Sequence, residues 1–300
     1  MKESKLVLGT AQLGLDYGIA NKEGRPSEKE AFKIMKSAVE SGILYFDTAH
    51  SYGNSETIIG KFLDLHKSYK NKVNIITKMP SLKEEKIDEK NINNHFFKSL
   101  HRLGQESIYC YMIHDFNDMK NNCDEIAYSF TKLKKEGYIK KIGVSVYDEF
   151  QINYLFKNFE FDIIQLPINI FDQRLLENGS LIKLKKKNIE IYARSVFLQG
   201  LIFLNYNTIP LSLKKVNNYI EKLNSISLKY NLTKEEIALL FIDSINEIDK
   251  IVIGVEKIGQ LQRNVKILSK LENFNKIKML INFKDYFIKD LNVIDPRRWI

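Results

Sequence analysis

The stretch Leu6-Val7-Leu8-Gly9-Thr10-Ala11-Gln12-Leu13-Gly14 decides the fold. Its first four residues are a short apolar run of strand character. The residues after that run do not form the G-x-G-x-x-G turn that an open, doubly wound sheet normally carries behind its first strand. A closed sheet is the competing parallel arrangement, and it requires the same strand–helix unit to recur around a circle. Short β-branched or aromatic runs do recur, at 45–48, 74–78, 109–114, 141–146, 163–169, 190–195 and 251–255. Each precedes a longer stretch with helical apolar spacing. Runs such as Ile163-Ile164 and Ile251-Val252-Ile253 are apolar on both faces, as strands covered by helices are. The pattern predicts an α/β fold, a (β/α)8 TIM barrel. Ser27 and Thr233 are expected to cap helices starting at 28 and 234, and Gly42 and Gly137 to end the first and fourth helical patterns.

The chain has 300 residues, 44% of them hydrophobic, which supplies a large core and excludes a disordered protein. That length admits two domains of ~150 residues, but α/β barrels run to ~250 or more as one unit. The expectation is one barrel domain over 1–300, with a short packed extension from about 282 to the end. Two cysteines, Cys110 and Cys123, cannot build a disulfide framework or a four-ligand zinc site, and fit a cytoplasmic setting. The N-terminus lacks the apolar region and cleavage site of a signal peptide. No run of ~18 apolar residues predicts a membrane span. Lys+Arg 46 against Asp+Glu 37 leaves +9. The basic runs at 132–135 and 183–187 are interleaved with Leu133 and Leu184, so they are read as solvated helix faces with no specific nucleic-acid partner.

In a parallel barrel, chemistry gathers where the strands end. The second run ends in Phe46-Asp47-Thr48-Ala49 and leads to Ser51, Tyr52 and Gly53; the third ends at Lys78, the fourth at His114. Each residue alone has a plain structural role: an ion pair for Asp47 and Lys78, a bonded hydroxyl for Tyr52, a satisfied polar group for His114. Their convergence on adjacent strand ends points instead to proton transfer. An ammonium near a phenol lowers its pKa from about 10. Asp47 would hold Lys78, and His114 would bond the substrate oxygen while Tyr52 gives it a proton. The histidines show no metal-ligand spacing, so no metal is expected.

Phe46-Asp47-Thr48-Ala49, Tyr52-Gly53-Asn54-Ser55-Glu56, Ile76-Thr77-Lys78 and Tyr111-Met112-Ile113-His114 resemble the aldo-keto reductase superfamily, from Gly9-Thr10 to Gly254…Asn264. The resemblance implies a (β/α)8 barrel that moves hydride between NADP(H) and an aldehyde, ketone or alcohol. It makes Tyr52 the general acid/base, with Lys78 lowering its pKa, Asp47 positioning Lys78 and His114 orienting the carbonyl. It places Gly9, Thr10, Asp47, Ser145, Gln165, Arg194, Ser195, Gly254, Glu256, Gln260, Arg263 and Asn264 on the cofactor. The sequence departs from the family in three places. Val146 stands where Asn is common, and Arg194 stands where relatives stack an aromatic on the nicotinamide; a planar guanidinium can also stack. Glu256 stands where a small hydroxyl residue often meets the 2′-phosphate and would repel it, whereas Lys257 and Arg263 attract it. NADP(H) is favoured, with NAD(H) the alternative.

Moderate connections after the fourth and seventh strands suggest an open pocket and a sugar-like or otherwise hydroxylated carbonyl substrate. His50, Asp16, Tyr17 and Trp299 are further candidates for the pocket, although a packed tail is the simpler reading of Trp299. A different class of function remains open: a cofactor-binding regulatory module with little turnover. Cofactor absorbance during a panel of carbonyl compounds separates the two.

Overall fold

The eight expected strands are present as β1 (Leu6–Gly9), β2 (Tyr45–Asp47), β3 (Asn74–Met79), β4 (Ile108–Ile113), β5 (Ile139–Ser145), β6 (Ile163–Pro167), β7 (Glu190–Arg194) and β8 (Lys250–Gly254) in the computed structural model. They close into a barrel in sequence order. β1 seals it by pairing in parallel with β8, Leu6 opposite Ile251 and Gly9 opposite Gly254. The structure describes residues 3–299; Met1, Lys2 and Ile300, at the ends of the expected domain, lie outside the described residues.

Strand alternation sorts the apolar residues into two cores. Val7, Ile76, Cys110, Met112, Ile163 and Tyr192 form a compact cluster of their own. Their sequence neighbours, among them Leu6, Leu8, Ile75, Tyr111, Ile113, Ile164 and Ile191, pack with the helices in a far larger second cluster. Both faces of the sheet are therefore dry, which is why its strands read as nearly continuous apolar runs.

The helix signals act as expected. Ser27 Oγ accepts from Glu30 N at the start of helix Glu28–Glu40. Thr233 and Glu236 form a reciprocal capping box on Lys234–Asp243. Gly42 and Gly137 both have φ of 81°, left-handed backbone that suits glycine just past a helix end. Strand ends differ from expectation by a residue or two: Thr48, His114, Val146, Ser195 and Val255 lie beyond the strands, on the rim. The Thr48 amide still reaches Ile76 O at 2.8 Å, after which the chain turns away into the loop.

The connection after β7 is longer than expected, running through 3-10 turns at Leu198–Phe203 and Leu211–Val216 before the next helix, Asn217–Tyr230. The tail packs as expected, with Ile281, Tyr286, Ile288, Val293 and Ile294 buried in the outer core. Ile288 N donates to Phe171 O at 2.9 Å, and Gln173 Nε2 donates to Phe283 O at 2.7 Å. Among the described residues no helix is long and apolar enough to cross a membrane.

Candidate active site

The C-terminal ends of the strands surround a cavity of about 630 Å³, within the range of small-molecule and cofactor sites. All of the catalytic and cofactor candidates taken from the sequence line it. At one part of the wall stand Asp47, Tyr52, Lys78 and His114, and at another Glu256, Gln260, Arg263 and Asn264, from the β8 end and the helix Ile258–Leu268.

Lys78 is 1% exposed and Asp47 3%. The ammonium donates to both Asp47 oxygens at 2.8 Å and to Thr48 O at 2.9 Å, using all three of its donors. Gln165 Nε2 also donates to Asp47 Oδ1, which leaves the side-chain Oε1 of Gln165 without a donor among the described residues. Burial pulls the Lys78 pKa below 10.5, against the pull of Asp47. Lys78 Nζ lies over the Tyr52 ring, 4.9 Å from its centroid.

That arrangement works against the lowering of the Tyr52 pKa expected from Lys78. Burial first, and then the Asp47 carboxylate, hold the Tyr52 phenol above its usual value, outweighing the lowering by Arg194. Lys78 does not hydrogen-bond the hydroxyl, because its protons already serve Asp47 and Thr48. Tyr52 is thus a protonated phenol, with a cation against its face.

His114 meets the Tyr52 ring edge-on at 5.8 Å. Its pKa is lowered to about 3 by burial, with Lys78 and Arg194 adding to the effect. The ring is therefore neutral at ordinary pH. Ser51 Oγ sits 3.3 Å from Nδ1; a hydroxyl donating there puts the ring proton on Nε2.

The low pKa has a consequence for stability. The unfolded chain protonates His114 below about 6.5, whereas the folded chain resists until about 3. Stability from this group is full above 6.5 and falls as the pH drops toward 3, by up to about 1.4 kcal/mol per pH unit. Urea midpoints taken from pH 7 to 4.5 should fall less in His114→Gln than in the parent. Equal falls would count against a buried neutral ring.

Main-chain contact fixes the loop that carries Tyr52. A Cβ on Gly14 would overlap the Tyr52 carbonyl oxygen, and one on Gly53, at φ +56°, would overlap Gly14 O. Thr10, a cofactor candidate, also serves this framework: its hydroxyl donates to Asp47 O at 2.9 Å and receives Ser55 Oγ at 2.7 Å. Glu56 is 2% exposed, where it takes Thr77 Oγ1 at 2.6 Å and pairs with Arg102 at 2.7 Å.

At the β8 end, Gln260 binds Glu256. Its Nε2 donates to Glu256 Oε2 at 2.7 Å, while its Oε1 accepts from Glu256 N at 2.8 Å. Lys257 pairs with Glu23 at 2.8 Å. Arg263 has no ion-pair partner among the described residues. Free acceptors and donors on Gln165 and Ser145, with an unengaged cation at Arg263, fit a dinucleotide with a carboxamide and phosphates.

Of the further candidates, Tyr17 lines the cavity, with burial raising its pKa to about 12, and Gln199 Nε2 donates to its hydroxyl at 3.2 Å. His50 and Asp16 do not line it; His50 packs edge-on against His95, and Asp16 accepts from Arg25 N. Trp299 packs into the tail, its Nε1 donating to Val293 O. Tyr147 and Arg297 line the cavity without being among the sequence candidates. Tyr147 lies two residues past Ser145, so reading one step further along that strand end would have found it. Nothing in the local sequence marks Arg297.

The sequence model of the Aldo/keto reductase family matches residues 5–280, and the chain belongs to that family. Among its relatives, an uncharacterised oxidoreductase, YqkF of Bacillus subtilis, is 24% identical over 87% of this chain and 90% of its own. L-galactose dehydrogenase of Arabidopsis thaliana is 23% identical over 91% and 86%. The fold matches the holo form of aldo-keto reductase AKR11C1 from Bacillus halodurans with a TM-score of 0.73, at 24% identity over 89% of this chain and 87% of that one.

Proposed function

We propose that the protein is an NAD(P)H-dependent reductase of an aldehyde or ketone, with Tyr52 as the proton donor. The observation that carries this reading is the buried Lys78 ammonium, fixed by Asp47 and Thr48 against the face of a protonated Tyr52. When bound, the reduced nicotinamide supplies a hydride to the carbonyl carbon. His114 Nε2–H and the Tyr52 hydroxyl bond the carbonyl oxygen as charge gathers on it. Tyr52 then gives up its proton, and Lys78 faces the resulting phenolate until solvent reprotonates it. Asp47 is a positioning residue that acts through Lys78. Ser145 and the free Gln165 oxygen would hold the carboxamide, Gly9, Thr10 and Gly254 the wall beside the ring, and Ser195 and Arg194 the nicotinamide side.

NADP(H) is the favoured cofactor, on the strength of Arg263, Asn264 and the absence of an ion-pair partner for Arg263 among the described residues. The kcat/KM for NADPH should exceed that for NADH by about tenfold, roughly one charged contact. Glu256→Ser should widen the ratio by removing a carboxylate near the phosphate. A clear preference for NADH in the parent would overturn the choice.

The relative named for L-galactose, together with the polar pocket rim, supports a hydroxylated, sugar-like carbonyl compound as substrate. Turnover of a panel of aldehydes and sugars, followed by cofactor absorbance, tests the whole reading. Tight cofactor binding with no substrate turned over would favour the regulatory module instead.

A further inference from the structure

Tyr147 and Arg297 form a part of the cavity wall that hydride and proton transfer leave unexplained, and Arg194, placed above on the nicotinamide side, adjoins them. The Arg297 guanidinium carbon lies 3.4 Å from the centroid of the Tyr147 ring, and that of Arg194 lies 4.2 Å from it. Two cations thus share one aromatic ring.

Their charges are not balanced alike. Asp295, 3% exposed, accepts Arg297 Nε at 2.9 Å and Nη2 at 2.6 Å. This fork fixes the guanidinium plane and leaves Nη1 without a hydrogen bond among the described residues. Arg194 has only the Val146 carbonyl at 3.2 Å and Ser195 Oγ at 3.4 Å, and its buried Nε has no partner. No carboxylate pairs with Arg194 among the described residues. Lys78 is balanced by Asp47 and Arg297 by Asp295, so Arg194 is left without a carboxylate partner among the described residues, with its charge felt at Tyr52 and His114. A partly buried cation in that state is stabilised by an incoming anion. Arg297 comes from beyond residue 280, where the family match ends, whereas Tyr147 and Arg194 lie within it.

Building on the carbonyl reduction proposed above, we propose that these residues select substrates carrying an anion, a carboxylate or a phosphate. Arg297 donates to the anion through Nη1, and Arg194 supplies the balancing charge.

The test uses the whole protein with benzaldehyde, 3- and 4-carboxybenzaldehyde, and 4-formylphenyl phosphate. The better anionic aldehyde should exceed benzaldehyde in kcat/KM by about tenfold or more, the scale of one charge-assisted contact. Carboxylates leading would identify the first anion, the phosphate leading the second. Arg297→Gln should shrink the preference at least about fivefold, and Arg297→Lys, which keeps a cation beside Asp295, should retain part of it. Arg298→Gln, 3.8 Å from Asp295 but outside the cavity wall, should keep the full preference. Equal kcat/KM for neutral and anionic aldehydes in the parent overturns the proposal. So does a preference that survives Arg297→Gln. If no aldehyde is reduced, the reductase reading fails, and calorimetric binding of 4-carboxybenzaldehyde decides this one. Binding that weakens in Arg297→Gln supports it; no binding, or binding indifferent to Arg297, overturns it.

Discussion

Tyr52→Phe should lower kcat/KM by about 10²–10⁴, the usual worth of a positioned general acid, while leaving the dissociation constant of the cofactor within about twofold. The substitution removes one oxygen from the wall of the cavity and nothing from the Asp47–Lys78 bonds. Because the phenol is held protonated by burial and by Asp47, the loss should be nearly constant from pH 6 to 9 in the reductive direction. Steady-state rates and fluorescence titration of the cofactor measure the two quantities. A variant retaining most of its turnover would remove Tyr52 from the role of proton donor.

Lys78→Met has a different kind of consequence. It leaves the Asp47 carboxylate buried with only Gln165 to bond it, and Thr48 O without its donor. Breaking a buried pair on one side typically costs about 3–5 kcal/mol. Urea denaturation should record a loss of that order, with activity abolished as well. Asp47→Asn combined with Lys78→Met removes both charges and should recover at least half of the stability without restoring turnover. Such a split separates the pair's part in folding from its part in chemistry. A single variant within about 1 kcal/mol of the parent would show the pair to be far better solvated than its 1% and 3% exposures imply.

The barrel was legible because its signals are local and repeated. Several strands are apolar on both faces, the helices behind them have their own spacing, and caps such as Ser27 and Thr233 sit next to the residues they bond. The walls of the site were legible for a related reason: a strand end has a fixed address in a closed barrel, so Asp47, Lys78 and His114 could be placed side by side. The upward direction of the Tyr52 pKa was not. It depends on where three ammonium protons point, and sequence order does not encode that. Arg297 is invisible in the sequence because its approach to Tyr147 depends on the path of the whole tail, fixed by distant bonds such as Gln173 to Phe283. The length of the connection after β7 is equally hard to read, because 3-10 turns lack a strong period.

The crossing of Gly14 and Gly53 bears on how this enzyme could be altered. Tyr52, the proposed proton donor, takes its position from two main chains in direct contact, not from the side chains that line the cavity. Tyr147 and Arg297 belong to other segments, the β5 rim and the tail. With the roles proposed above, chemistry and selectivity are mechanically separable. A combinatorial library built on those two walls could explore new substrates while the reacting hydroxyl stays where the backbone puts it.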